Sequence, residues 1–237
     1  MKKILIFGSN GRLANDLCTK LTNRFDVFGV DVSESGSKDI TYTKFIDFDD
    51  LKNLYHENNF YAVIHCQQVK SKSFIDARLD NLDLEEFRRV MRVNLELTFI
   101  STQLYVKSCI PLDLNINGRI INFSSTYSTI SSSPALYDGT EMGNPVHYSI
   151  SKGGVDSLTK YVAAYFRDYR ILCNSISPHG IENNQSSTFK NNFSKRSPIG
   201  RLSDTREVLP AVNFLLDEQN TYTNGANIAV DGGWTAC

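Results

Sequence analysis

Short apolar runs alternate with helix-length amphipathic segments along almost the whole chain. No other feature constrains the fold as much. The runs Ile4–Phe7, Val27–Val30, Thr41–Ile46, Tyr61–Ile64, Arg119–Phe123, Ile171–Ile176 and Asn227–Val230 read as strands. Several are apolar at consecutive positions, the pattern of strands buried on both faces. Between them, Arg12–Asn23, Asp49–Glu57, Leu84–Ile110, Val155–Phe166 and Glu207–Leu216 place apolar residues three and four apart and read as helices. Strand–helix–strand units cross over right-handedly and give a parallel sheet covered on both sides. The expected fold class is therefore α/β, a doubly wound parallel sheet of the Rossmann type. No linker, repeat or charge block divides the sequence, so residues 1–237 read as a single domain. Two long polar stretches escape the alternation, Thr126–Val146 and Glu182–Ser203, as functional loops do.

Composition narrows the partners. Twenty-five Lys and Arg face 26 Asp and Glu, a net charge of −1, so there is no overall pull toward nucleic acid or anionic lipid. No apolar run approaches the roughly 18 residues of a membrane span. The basic start at Lys2 and Lys3 leads into only four apolar residues before Gly8, too few for a signal peptide. The five cysteines, Cys18, Cys66, Cys109, Cys173 and Cys237, are odd in number and have no C-x-x-C spacing. That argues against a disulfide framework and against a metal site, and for free thiols in a cytoplasmic protein.

The first strand runs into Gly8-Ser9-Asn10-Gly11-Arg12-Leu13-Ala14. A strand, a glycine turn and a helix start form a cradle for a dinucleotide pyrophosphate. Gly8 allows the turn, Gly11 lets the pyrophosphate approach, and Ala14 lets helix and strand pack. Asp31, 20 residues after Gly11, closes the second strand. A carboxylate there accepts from both adenosine ribose hydroxyls and repels a 2′-phosphate, which favours NAD over NADP. Arg12, which could reach that phosphate, is the counter-argument. Asp47 closes the third strand, where it could meet the adenine amino group.

Tyr148 and Lys152 stand four apart on one helix face. An ammonium beside a phenol stabilises phenolate and suits the pair to acid–base work on an alcohol or ketone. Upstream, the run Gly118 to Phe123 ends on Ser124-Ser125, and Asn94 lies inside the long helix.

With these residues in order, the whole chain resembles the short-chain dehydrogenase/reductase family, of the compact single-domain kind. The likeness includes Asn174-Ser175-Ile176-Ser177-Pro178 and the terminal Val230-Asp231-Gly232-Gly233. It implies that Tyr148 moves the proton and that Lys152 holds the nicotinamide ribose and tunes Tyr148. Ser125 would bond the substrate oxygen, with Ser124 as its rival, and Asn94 would anchor a water relaying protons to Lys152. The implied cofactor set adds Asn10, Arg12, Leu13, Phe48, Cys66 and Gln67, with the backbone at Ile181 meeting the nicotinamide carboxamide. A homodimer or homotetramer is implied as well, and Tyr161 and Tyr165 lie off the main stripe of their helix.

Some positions depart from the family. The glycines and alanine at 8, 11 and 14 have the spacing of the longer, epimerase-like branch. His65-Cys66-Gln67-Gln68 replaces Asn-Asn-Ala-Gly, and two glutamines there would crowd the adenosine side. His179 intrudes between Pro178 and Gly180 and reads as a packed or solvated loop histidine. Ser125 and Tyr148 are 23 positions apart, an expanded interval that contains Leu136-Tyr137-Asp138-Gly139-Thr140. That stretch is similar to a subgroup linked to bacterial surface sugars, including flagellin glycosylation and legionaminic-type acid synthesis. Lys70, Lys72, Lys190, Lys195 and Arg196 lie where a sugar phosphate or carboxylate could be met. The implied reaction is hydride exchange with a secondary alcohol or ketone of a sugar derivative. Two alternatives stay open, an epimerase or dehydratase with retained NAD and a non-catalytic dinucleotide-binding sensor or scaffold.

Overall fold

The computed structural model describes residues 1–33, 40–44, 47–69, 79–110 and 117–236. Its strands are β1 (Lys2–Phe7), β2 (Phe25–Asp31), β3 (Thr41–Lys44), β4 (Phe60–His65), β5 (Arg119–Phe123), β6 (Leu172–Pro178) and β7 (Asn227–Val230). They form one parallel sheet of order β3-β2-β1-β4-β5-β6-β7. The order reverses between β1 and β4, and ligands of such sheets bind over the strand ends at that reversal.

Alternation along the strands feeds two cores. Ile4 and Ile6 of β1 face one side with Leu17 and Leu21 of α1 (Arg12–Leu21) and Val212 and Leu215 of α7 (Leu209–Leu216). Leu5 and Phe7 face the other, with Leu51 and Tyr55 of α2 (Phe48–Glu57), Tyr105 and Val106 of α4 (Leu97–Cys109) and Val162 of α5 (Val146–Tyr165). A residue on one strand thus contributes to one layer only, which fixes register against both sets of helices.

Three local differences from the sequence expectation have clear causes. The long helix Leu84–Ile110 is interrupted: α3 (Leu84–Met91) passes through a π-helical turn at Arg92–Glu96 before α4. Such turns leave the overall helical path intact and so escape periodicity. Helix α5 begins at Val146, immediately after Pro145, so Tyr148 lies in its first turn. The stretch Glu182–Ser203 is not all loop. It holds α6 (Ser187–Arg196), capped by the Ser186 side chain and burying Phe189 and Phe193 one turn apart. Residues 45–46 of the expected third strand, Lys70, Lys72 and Cys237 lie outside the described residues. The four described cysteines are free thiols. Among the described residues, no helix is long and apolar enough to cross a membrane, and no cluster of metal-ligating side chains occurs.

Candidate active site

A cleft of about 800 Å³ opens over the carboxyl ends of the strands. At one end lies the turn after β1. Gly8 has φ +73°, and a Cβ there would sit 2.6 Å from the Gln67 Cα. Only glycine lets β1 and the segment after β4 approach this closely. Gly11 starts α1, which has no side-chain cap among the described residues, whereas Asp47, Asp83 and Ser186 cap α2, α3 and α6. The N–H groups at the start of α1 therefore remain available to a ligand. Asp31 Oδ2 accepts from the Asn10 N–H (3.0 Å) and Oδ1 from the Val32 N–H (2.7 Å). Asn10 Nδ2 donates to Ser33 Oγ (2.9 Å), tying the turn to the segment after β2.

At the other end Ser125, Tyr148 and Lys152 line the same cleft. Lys152 is buried, and its Nζ donates to the Phe123 carbonyl (2.7 Å), 5.8 Å from the Tyr148 ring centroid. Burial pulls its ammonium down to about 8. The Tyr148 phenol is pushed up by burial, and its bond with the Ser125 hydroxyl draws it back. This corrects the expected lowering by Lys152. The ammonium is itself disfavoured by burial, which weakens its pull on the phenol. Both serines line the cleft with Tyr148, and Ser124 Oγ donates to the Lys152 carbonyl (3.3 Å).

Asn94 sits buried in the π turn. Its Oδ1 accepts from the Val69 N–H (2.9 Å), and its Nδ2 donates to Ser151 Oγ (3.3 Å). Its side chain thus joins the segment after β4 to α5 between Tyr148 and Lys152. Asn94 does not itself line the cleft, although Val93 does.

Gly8, Asn10, Gly11, Arg12, Leu13, Asp31, Cys66, Gln67 and Ile181 all line the cleft. Asp47 and Phe48 do not. Asp47 Oδ1 accepts from the N–H groups of Asp49 and Asp50, and Phe48 packs on the sheet core. Gln68 lines the cleft, and so does Gln67. Its Nε2 turns into the helical layer and donates to Thr98 Oγ1 (2.7 Å), whose hydroxyl donates to the Asn94 carbonyl (2.9 Å). His65 points under the sheet end, with Nδ1 at 2.7 Å from Asn122 Oδ1 and Nε2 at 2.7 Å from Ser101 Oγ. Burial draws it down to about 4. His179 is a packed residue, as expected. Its Nδ1 is 2.6 Å from Thr126 Oγ1, its ring lies 4.2 Å from that of Trp234, and burial draws it also to about 4.

Of the basic residues expected to meet a phosphate or carboxylate, the three described ones do not line the cleft. Lys190 pairs with Glu182 (2.5 Å), Arg196 lies 5.1 Å over the Trp234 ring, and Lys195 is exposed on α6. Sequence reasoning missed Asp156, four residues beyond Lys152. Its carboxylate accepts from Ser128 Oγ (2.5 Å), Ser175 Oγ (2.8 Å) and Asn227 Nδ2 (2.8 Å). Ser128 Oγ is also 2.7 Å from the Ser125 carbonyl, so Asp156 fixes the turn that carries Ser125. The helical spacing to Lys152 was the available signal.

A family model described as enoyl-(acyl carrier protein) reductase matches residues 14–235. The chain belongs to the short-chain dehydrogenase/reductase family. It is an oxidoreductase of that family. It is 28% identical over 236 residues to the 3-oxoacyl-[acyl-carrier-protein] reductase FabG of Aquifex aeolicus, covering 97% of this chain and 86% of that one. It is 30% identical over 166 residues to glucose 1-dehydrogenase 2 of Bacillus subtilis, covering 68% of this chain and 60% of that relative's length. A crystal structure of a short-chain dehydrogenase from Leptospira borgpetersenii with bound NAD+ superposes with a TM-score of 0.87. It shares 27% identity, and the match covers 99% of this chain and 92% of that one. The doubly wound fold of this short-chain dehydrogenase/reductase is thus the fold of its relatives.

Proposed function

We propose that this enzyme is an NAD-dependent oxidoreductase acting on a secondary alcohol or ketone of a sugar derivative, with Tyr148 as general acid–base. One observation carries the reading. A glycine turn with an uncapped helix and an aspartate, and a half-buried Tyr148 beside buried Ser125 and Lys152, share one cleft. The named relatives include a glucose dehydrogenase, and the superposed neighbour binds NAD+. The whole chain, 1–237, would work as one nucleotide-binding domain.

The cleft fits a dinucleotide. Asn10 Oδ1 and Gln67 Oε1 are buried without a hydrogen-bond partner among the described residues, and both residues line it. The first turn of α1 would hold the pyrophosphate, and Asp31 would hold the adenosine ribose. Arg12, which could meet a 2′-phosphate, lines the same cleft. When bound, the nicotinamide supplies or accepts a hydride. Tyr148 would donate a proton to the ketone oxygen, or take one from the carbinol, at its phenolic oxygen. Ser125 would donate to the same substrate oxygen and hold it in line. Lys152 would bond the nicotinamide ribose, and Asn94 keeps α5 in place against the segment after β4.

Small polyols and their deoxy or keto forms, with a sugar phosphate or nucleotide-activated sugar as the larger cases, are the substrates this reading favours. Surface-glycan biosynthesis is the setting that the Tyr137-Asp138-Gly139-Thr140 stretch suggests. A homodimer or homotetramer is part of the reading. Tyr161 and Tyr165 are 54% and 68% exposed and stack on each other at 4.4 Å, an apolar patch on α5 suited to a second copy. The test is parallel titration of the purified protein with NADH and NADPH, followed by NADH formation from NAD+ on a panel of sugars. Tighter NADH binding with sugar-dependent NADH formation supports the reading. Binding of neither nucleotide, or binding without turnover of any sugar, overturns it.

A further inference from the structure

The long segment between Ser125 and Tyr148 folds back over the tyrosine end of the cleft. Its Tyr137 is held through the main chain and through its ring. The Tyr137 carbonyl accepts from the Thr140 N–H (3.0 Å) and from Thr140 Oγ1 (2.7 Å). Asn192 of α6 donates from Nδ2 to the carbonyls on either side, Leu136 (3.3 Å) and Asp138 (2.9 Å). The ring leans on Phe189 with centroids 5.8 Å apart. Backbone and ring are thereby fixed before any ligand arrives, which lowers the ordering cost of binding.

The Tyr137 hydroxyl meets the Tyr127 hydroxyl at 3.1 Å. Burial pushes both phenols up, so both stay protonated at neutral pH. Tyr127, Tyr137 and Tyr148 all line the same cleft. A phenol offers one proton and accepts as well, so a pair joined by one bond keeps one proton and further lone pairs unused. Both line the cleft, Tyr127 buried and Tyr137 half-buried. Around it stand Leu136, Phe189 and Phe193. Among the described residues lining the cleft, the charged ones are Lys152 and, at the far end, Arg12 and Asp31.

We propose that Tyr137 is a substrate-binding residue that reads a second hydroxyl, on the carbon next to the reacting one. The proposal rests on the reaction given above and names part of its substrate: an uncharged vicinal diol. One hydroxyl lies with Ser125 and Tyr148, its neighbour with Tyr137, and the C–H face of the ring lies against Phe189. A phosphate or carboxylate at that neighbouring carbon would be desolvated against phenols and hydrocarbon without a counter-charge, which disfavours it.

Tyr137→Phe keeps the ring and removes the hydroxyl. Calorimetric dissociation constants of the NADH complex for cyclohexanol and for trans-1,2-cyclohexanediol isolate that group. Wild type is expected to prefer the diol by about fivefold, the worth of one hydrogen bond. Tyr137→Phe should erase the preference while leaving cyclohexanol and NADH binding unchanged. Asn192→Ala, which frees the loop, should reduce the preference in the same direction. Absence of a diol preference in wild type, its survival in Tyr137→Phe, or binding of neither alcohol overturns the proposal. Turnover of the same two alcohols with NAD+ separates it from the reaction itself. A Tyr137-dependent preference without turnover sinks the reaction and keeps the subsite, whereas turnover without Tyr137 dependence does the reverse.

Discussion

Two aspartates mark the two ends of the cleft, and they are held in opposite ways. Asp31, at the glycine-turn end, is held by the main-chain N–H groups of Asn10 and Val32 and is partly open to solvent. Asp156, behind the tyrosine end, is buried and held by three side chains from three elements, Ser128, Ser175 and Asn227. The first arrangement needs only the path of the chain, so the side chains around it can vary. The second needs particular side chains at residues far apart in sequence, so every member matters. A cofactor end built from backbone and a reaction end built from a locked polar cluster should therefore respond differently to mutation.

The largest effect separates the two directly. Tyr148→Phe should lower turnover by about 10³-fold, the scale of general acid–base catalysis. Its NADH dissociation constant should stay within about twofold of wild type by fluorescence titration. A parallel loss of NADH affinity would mean that the ends are not independent. Asp156→Ala comes next. It strips the acceptor from three buried or half-buried donors, and urea unfolding should register a loss of about 3 kcal/mol. Turnover should fall with it as the Ser125 turn loosens, while NADH binding at neutral pH is spared.

Acid titration sharpens the contrast further. His65 and His179 are held down to about 4 by burial, so both are neutral in the folded protein at neutral pH. Between about 6.5 and 4 the unfolded chain binds protons that the folded chain does not. Stability from these groups is therefore complete above that window and lost as pH falls through it, on the order of 2–3 kcal/mol for each. His65 bonds across β4 and β5 beneath the shared floor, whereas His179 stacks only at the tyrosine end. His65→Asn and His179→Asn should each flatten the pH dependence of urea midpoints between pH 4.5 and 7. Only His179→Asn should also alter substrate KM. A full acid slope in both variants would assign the loss to other groups. The smallest effect lies at the open end. Asp31→Ser removes a charge that would face a 2′-phosphate, and the ratio of NADPH to NADH affinity should rise about tenfold. An unchanged ratio would mean that Asp31 does not meet the ribose.

Much of the fold was readable because burial on both faces writes strands as plain apolar runs. Arg119–Phe123, buried at every position, matches its strand residue for residue, and so does the half-buried Asn227–Val230. The glycine turn was readable for a related reason. Its role needs residue types that few others can replace, Gly8 above all. The π turn at Asn94 was not readable, since it changes hydrogen-bonding partners without changing the apolar stripe. Helix α6 was hidden by its polar composition, with only Phe189 and Phe193 marking the buried side. The orientation of Gln67 was not readable either. Its backbone position was inferable, but the direction of its amide depends on Thr98, 31 residues away.

The sequence by itself determined the α/β class, the strand that ends in the glycine turn, the carboxylate 20 residues on, and a tyrosine and lysine sharing a helix face. These follow from local periodicity, from backbone conformations open only to glycine, and from fixed helical spacing. Tertiary structure alone decided that Asp156 clamps the Ser125 turn, that Tyr137 joins Tyr127 over the cleft, and that Lys190 and Arg196 are spent elsewhere. Each of those is a meeting of side chains carried by elements distant in sequence. Hydrogen bonds act over about 3 Å, so only the packed fold determines which donor finds which acceptor.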